Sequence, residues 1–322
     1  MNDRSGIRLA KAFFQLTIIF GLLAFCGFSF CGSASGAEAG SAANSQEVRV
    51  MTFNIRYGTA NDGENRWPNR RQMVCDVIHN HESDVIGLQE ALKFQIDEIL
   101  AASPELGLIG VGRDDGKTKG EYSAILYDHD RFTVDDSGTF WLSDTPEVPG
   151  SITWGNACTR ICTWARLIEK KTGKAFYAFN LHLDHICQPS RERSALLVTQ
   201  RIRDRKHPDP FVLTGDFNVG ETNAVVMYLK GKSRFTWSGQ REPANPVPMV
   251  DTFRVLHPDA KDVGTFHSFS GKRSNQKIDY VFAPPAAHVF AAQILHDNVD
   301  GRYPSDHFPV IARLRLALAT DR

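Results

Sequence analysis

Short apolar runs with period-two character alternate along this chain with longer amphipathic stretches of helical period. Val48, Val50, Met51, Phe53 and Ile55 predict a strand over residues 47–55, and the pattern that follows predicts a helix over 69–81. A second strand and helix follow at 85–89 and 93–102. Strands then dominate, near 107–112 and 122–127 and over 132–141, 159–169 and 175–182. Helix 191–205, strand 211–214 and helix 223–230 restore the alternation, and strands 277–282, 288–296 and 310–316 close the chain. Helices near both ends with a strand-rich middle predict an α/β (α+β) fold: two packed mixed β-sheets flanked by helices, a four-layer α/β sandwich.

The first residues read differently. Arg4, Arg8 and Lys11 precede an apolar run over 12–30, and Ser35-Gly36-Ala37 then offers a small-x-small cleavage site. This is the layout of a signal peptide over residues 1–37, which predicts a secreted or periplasmic protein. A retained anchor is the alternative, because the apolar run approaches spanning length. A lipoprotein through Cys26 or Cys31 is disfavoured by Phe25 and Phe30, which stand where a small residue is required. Residues 38–46, rich in Ala, Ser and Gly, read as a flexible leader, and 47–318 as one catalytic domain without internal repeats.

Charge narrows the choice of partner. The chain has 37 basic and 37 acidic residues, and the export segment contains three of the former and one of the latter, so the remainder is slightly acidic. An overall basic footprint for nucleic acid is absent. A local groove built from Arg70, Arg71, Lys117, Lys119, Arg131 and Arg302 stays open. Beyond the leader, Cys75, Cys158, Cys162 and Cys187 match no zinc spacing; Cys75 and Cys162 read as small core residues.

The chemistry sits where strands end. MTFNIR carries Asn54, DVIGLQE carries Glu90, FNLHLDH carries His182, VLTGDFN carries Asp216 and Asn218, KIDYVF carries Asp279, and PSDHFPV carries Asp306 and His307. Open α/β folds gather their ligands at strand ends. Carboxylates, an amide and two imidazoles describe a site for a hard divalent cation, Mg²⁺ or Mn²⁺, and for phosphate-ester hydrolysis. Taken alone, Glu90 would read as an acid favoured by a helix N-terminus, and Asp216 as a turn residue after Gly215. The Trp residues read as packed against their own sheets rather than as stacking platforms.

In this order the motifs resemble the endonuclease/exonuclease/phosphatase (DNase I-like) superfamily, whose members include DNase I, abasic-site endonucleases, deadenylases, sphingomyelinases and inositol-polyphosphate 5-phosphatases. GEYSAILY, SGTFWLSDTP and TRICTWARL further resemble a secreted bacterial branch of it. The resemblance implies the four-layer sandwich, with Asn54, Glu90 and Asp306 toward the metal and Asp216 and Asn218 toward the attacking water. It also implies that His307 acts as base or phosphate orienter with Asp279 fixing its tautomer, and that Glu121 partners His182. Arg160 and Asp184 are expected to face substrate, and His185 to point away on a structural errand. Arg56 stands where abasic-site endonucleases carry an acid, which argues against a second metal on that side. Cys158 and Cys187 depart from the family pattern, and a disulfide between them is expected in an exported chain, the alternatives being two unrelated free cysteines or Cys162 as a partner.

The expected activity is therefore metal-dependent hydrolysis of a phosphodiester or phosphomonoester by direct attack of water. Nuclease, lipid hydrolase and sugar-phosphate hydrolase remain alternatives, and a non-catalytic binding protein is the rival from another class. No stable protein partner is inferred, and the chain is expected to act as a monomer.

Overall fold

The computed structural model describes residues 45–317, so the signal peptide expected over 1–37 and all but the last two residues of the expected leader lie outside the described residues. In chain order the strands are β1 (Ser45–Asn54), β2 (Val85–Gln89), β3 (Leu106–Ile109), β4 (Ile125–Asp128), β5 (Phe132–Trp141), β6 (Ile161–Glu169), β7 (Ala175–His182) and β8 (Phe211–Asp216). The short β9 (Thr236–Trp237), β10 (Gln240–Arg241) and β11 (Val250–Asp251) follow, then β12 (Asp279–Ala283), β13 (His288–Ile294) and β14 (Val310–Ala317). The helices are α1 (Trp67–Asn80), α2 (Lys93–Ala102), α3 (Gln188–Arg203), α4 (Ala224–Leu229) and α5 (Thr252–Leu256).

Two six-stranded sheets result, ordered β13-β14-β1-β2-β4-β3 and β11-β12-β8-β7-β6-β5. β1 runs parallel to β2 and β7 parallel to β8. Side-chain parity makes the layers. On β1, Val48 and Val50 point into the core between the sheets, while Met51, Phe53 and Ile55 point outward onto Val74, Val77 and Ile78 of α1 and Ile96 and Ile99 of α2. The second sheet repeats the arrangement. Phe176, Ala178 and Val212 face the first sheet, and Tyr177, Phe179, Leu213 and Phe282 face Ala195, Val198 and Ile202 of α3. Burying each such side chain stabilises the fold by roughly 1.5–3 kcal/mol relative to exposure. The predicted four-layer sandwich is the observed fold.

Two helices start earlier than the pattern predicts. Pro68 and Pro189 each sit in the first turn, where a missing N–H costs nothing. The short α5 and the β9–β10 hairpin are not predicted, since five or fewer residues carry too little periodicity to register.

Toward the functional end, the layer between the sheets turns polar. Asn180 accepts from Gln89 Nε2 (2.7 Å) and from Thr214 Oγ1 (3.0 Å), and donates to the carbonyls of Leu88 and Ala124 (both 2.8 Å). Gly87 makes room for this plug. A Cβ there would lie 2.3 Å from Thr214 Oγ1 and 2.5 Å from Asn180 Oδ1.

Candidate active site

Strand register assembles the site. His182 on β7 lies opposite Asp216 on β8, and Asp216 lies opposite Asp279 on β12, so three functional side chains form one row across the second sheet. In the first sheet Asn54 ends β1 beside Gln89, and Glu90 follows directly. Asp306 and His307 immediately precede β14, which pairs with β1, and Ser305 Oγ ties that segment down by donating to the Asn54 carbonyl (2.6 Å). The two rows face each other across a cavity of about 600 Å³ whose walls include Glu90, Asp216, Asp306, His182, His307 and Arg160.

One half of the cavity is acidic. His307 Nδ1 lies 2.9 Å from Asp279 Oδ2, with both side chains buried. Asp216 Oδ2 stands 3.5 Å from His182 Nε2 and 3.8 Å from His307 Nε2, and accepts from Asn54 Nδ2 at 3.0 Å. Burial and the neighbouring Asp279 charge push the Asp216 carboxyl up to about 7. Burial opposes charge on His307, but Asp279 and Asp216 outweigh it and hold the imidazole well above its ordinary range. His182 is pushed the other way, well below its ordinary range, by burial first and then by Arg160 and Arg113. The two histidines are thus biased in opposite directions, which is the condition for dividing acid and base work.

The other half is basic, and part of it is invisible in the motifs. Arg113 makes a bidentate pair with Glu121 (both contacts 2.8 Å), and Arg160 is buried at 4% exposure. Arg113 Nε, Arg160 Nε and Arg160 Nη1 are buried without a hydrogen-bond partner among the described residues, and so is His182 Nδ1; Arg113 Nε lies 3.9 Å from Asp114 Oδ1. Arg113, Arg160 and His182 line both the main cavity and a narrow recess beside it. Unpartnered buried guanidinium donors are costly unless an anionic group meets them. Arg113 sits in a glycine- and lysine-rich loop with no strand pattern, so nothing local marked it. Its nearest signal was the acid eight residues on.

Loop conformation is held by a buried arginine. Arg70 of α1 donates to the carbonyls of Asn65 (2.9 Å), Arg56 (2.8 Å) and Pro304 (3.0 Å) and also to that of Ile55, joining the end of β1 to the segment before Asp306. Burial lowers its guanidinium to about 10. Arg56, Glu90 and Asn218 have φ of 57°, 58° and 52°. Three non-glycine residues in the left-handed region around one cavity mark a backbone constrained for function rather than for comfort.

Several expectations change. Glu121 does not partner His182, because Arg113 takes both of its oxygens; burial, opposed by Arg113, raises its carboxyl. Asp184 is fully buried and accepts from the backbone N–H groups of Ala157, Ile186 and Cys187, so it clamps two loops rather than facing substrate. His185, expected to face away, is exposed on the cavity wall with Nδ1 3.1 Å from Arg160 Nη2. Cys158 and Cys187 are free thiols: Cys187 Sγ donates to the Trp154 carbonyl at 3.4 Å, and Cys158 gathers with Asp184 and His185. Asn218 reaches the site through a left-handed turn, and its Nδ2 meets His182 Nε2 at 2.9 Å. Asn54 turns its amide nitrogen to Glu90 Oε1 (3.1 Å) and Asp216, while its oxygen accepts from the Arg56 N–H. Of the tryptophans weighed as stacking platforms, Trp67 and Trp141 are buried against their own layers.

The donors fit a hard divalent cation. Glu90 and Asp306 are only 15% and 10% exposed, and each keeps a carboxylate oxygen 3.8–3.9 Å from the Arg56 guanidinium, which is itself bound to Asp62. Burial raises the Asp306 carboxyl, opposed by His307 and reinforced by the charge of Glu90. Two carboxylates near enough for the charge of one to act on the other offer oxygen donors of the kind that Mg²⁺ or Mn²⁺ takes. Asp216, Asp279 and His307 also lie within metal-holding distance of one another.

Comparison with known proteins gives the family. The model of the endonuclease/exonuclease/phosphatase family matches residues 51–307. A crystal structure of an endonuclease/exonuclease/phosphatase from Bacteroides vulgatus is 37% identical, with a TM-score of 0.73 over 84% of this chain and 99% of that one. A mannosyl-6-phosphatase from Bacteroides thetaiotaomicron is 34% identical, with a TM-score of 0.72 over 83% and 99%. An uncharacterized protein of Acanthamoeba polyphaga mimivirus is 29% identical over 276 residues, 82% of this chain and 98% of its own. The chain belongs to the endonuclease/exonuclease/phosphatase family.

Proposed function

We propose that this family member is a divalent-metal-dependent phosphoesterase, exported by its N-terminal segment, that removes phosphate from a small phosphomonoester of the sugar-phosphate type. The observation that carries the reading is one cavity lined both by the acidic pair Glu90 and Asp306 and by Arg113 and Arg160, whose guanidinium groups keep buried N–H donors without a hydrogen-bond partner. A doubly charged terminal phosphate matches that arrangement, with guanidinium donors on its oxygens. A cation held by Glu90 and Asp306 would neutralise phosphate charge as a Lewis acid. Asp216, with a carboxyl near 7, stands between the two histidines to accept a proton from water. The charged His307, oriented by Asp279, donates to phosphate or leaving oxygen. Phe266, its ring 5.1 Å from that of His307, offers a face to the organic part of the substrate.

The mannosyl-6-phosphatase relative supports a sugar phosphate over nucleic acid. So does the fate of four of the six cations of the groove left open by the sequence: Arg70 is buried, Arg71 pairs with Glu98, Arg131 pairs with Asp84 and Glu169, and Arg302 donates to the Glu64 carbonyl, while Lys117 and Lys119 are exposed. The test is a panel of sugar phosphates, a nitrophenyl monoester and its diester counterpart, and single- and double-stranded DNA, each with and without EDTA. Monoesters should be cleaved in a metal-dependent way. Cleavage of DNA or the diester in preference to every monoester would overturn the reading. N-terminal sequencing of the protein recovered outside the cytoplasm should begin near Glu38.

A further inference from the structure

Beside the catalytic groups lies a second cluster with different chemistry. Cys158 Sγ, a carboxylate oxygen of Asp184 and a ring nitrogen of His185 all lie within 4.8 Å of one another. Thiolate, imidazole and carboxylate together are the donor set of Zn²⁺ and other thiophilic divalent ions, whereas Mg²⁺ avoids sulfur. The donors come from two loops, and Asp184 is locked in place by the N–H groups of Ala157 (2.8 Å), Ile186 (2.9 Å) and Cys187 (2.7 Å). Such outer hydrogen bonds pre-orient a ligating carboxylate. Cys158 and His185 also line the catalytic cavity, so an ion and solvent reach the cluster from there.

We infer that Cys158, Asp184 and His185 form a Zn²⁺ site that inhibits the enzyme by freeing Arg160 from its anchor. The coupling follows from the valence of imidazole. A neutral ring has one acceptor nitrogen, and His185 Nδ1 spends it on Arg160 Nη2 at 3.1 Å. A metal ion needs that same lone pair, whichever nitrogen it takes, because the other nitrogen must then carry the proton. Ion binding and the Arg160 contact therefore exclude each other. Binding forms a sulfur–metal bond at Cys158 and releases the thiol proton to solvent. The bound charge then repels the guanidinium, so Arg160 leaves its place in the cavity wall.

The inhibition rests on the proposed hydrolysis, but the binding does not, and the test separates them. With Mg²⁺ at saturation, Co²⁺ serves as the spectroscopic probe of the purified enzyme. The wild type should show thiolate-to-cobalt charge-transfer absorption that Zn²⁺ displaces, and Cys158→Ser should lack it while remaining folded by circular dichroism. Zn²⁺ should lower wild-type monoesterase activity by roughly 10-fold or more, the worth of one charge-assisted hydrogen bond, and leave Cys158→Ser resistant. His185→Gln should lose the tight binding of Zn²⁺ measured by equilibrium dialysis. Absence of the thiolate band in the wild type, or its persistence in Cys158→Ser, refutes the site. Equal inhibition of both proteins refutes the switch and assigns the effect to the catalytic carboxylates.

Discussion

His307 Nδ1 and Asp279 Oδ2 lie 2.9 Å apart, both buried, on elements that reach the cavity from different sheets. Asp279 opens β12 in the second sheet, and His307 precedes β14 in the first, so their contact also records that the sheets are correctly packed. If Asp279 works through His307, Asp279→Asn and His307→Gln should each lower kcat strongly, and the double variant should be little worse than His307→Gln. A complete double-mutant cycle measures the coupling. Additive losses would mean independent roles.

Glu90 is held in a left-handed backbone conformation at the acidic floor. Glu90→Gln removes a charge while keeping the shape, and kcat should drop by at least ~10²-fold, the scale of losing one electrostatic stabiliser. The Mg²⁺ concentration required for half-maximal rate should rise in the same variant. EDTA should abolish wild-type activity, and added Mg²⁺ or Mn²⁺ should restore it.

Glu121 holds Arg113 by two 2.8 Å contacts, so its effect on catalysis should pass through that arginine. Arg113→Lys and Arg160→Lys should each lower kcat/KM by roughly 10–100-fold, since a lysine cannot reproduce the fork. Glu121→Gln should add little on top of Arg113→Lys. A full additional loss in that double variant would return Glu121 to a direct role beside His182.

Lys277 and Asp251 form an ion pair at 2.9 Å with side chains 0% and 1% exposed, and the Lys277 ammonium lies 3.4 Å from the Tyr280 ring centroid. Burial lowers the lysine, opposed by Asp251. Asp251→Asn should therefore cost about 3–5 kcal/mol in urea unfolding, because a charge is left buried and alone. Pairing it with Lys277→Met should recover most of that loss. An uncompensated loss in the double variant would locate the stability in the pair itself.

Glu169 gives a pH-dependent contribution away from the site. Burial raises its carboxyl, but Thr172 Oγ1 at 2.6 Å and Arg131 at 2.7 Å outweigh it, so the net shift is downward. A carboxyl depressed in the folded state contributes stability above its unfolded value near ~4.3, and this is lost as pH falls through the lower folded value. The stability gap between wild type and Glu169→Gln should hold from neutral pH to about 5 and close below about 4. A gap that widens on acidification would reverse the sign.

Much of this molecule was legible in one dimension because strand geometry is local. Val48, Val50, Thr52 and Asn54 share one face of β1, as Phe176, Ala178, Asn180 and His182 share one face of β7. On each strand the inward face passes from apolar to polar toward its carboxyl end, and that gradient alone announces a core that opens into a site. The motif residues Asn54, Glu90, His182, Asp216, Asp279, Asp306 and His307 were placed by their position at the ends of strand-like runs and by the order of the motifs, and the structure brings them together around one cavity. What the sequence by itself could not determine were the pairings. Arg113 rather than His182 claims Glu121, Asp184 serves backbone N–H groups, Cys158 meets His185 rather than Cys187, and Arg70 is a buried brace rather than a surface cation. Each is a contact between groups whose partners are set by how loops from two sheets close on each other. A side chain's periodicity says which way it points, but only the folded chain decides which of several competent donors reaches it first.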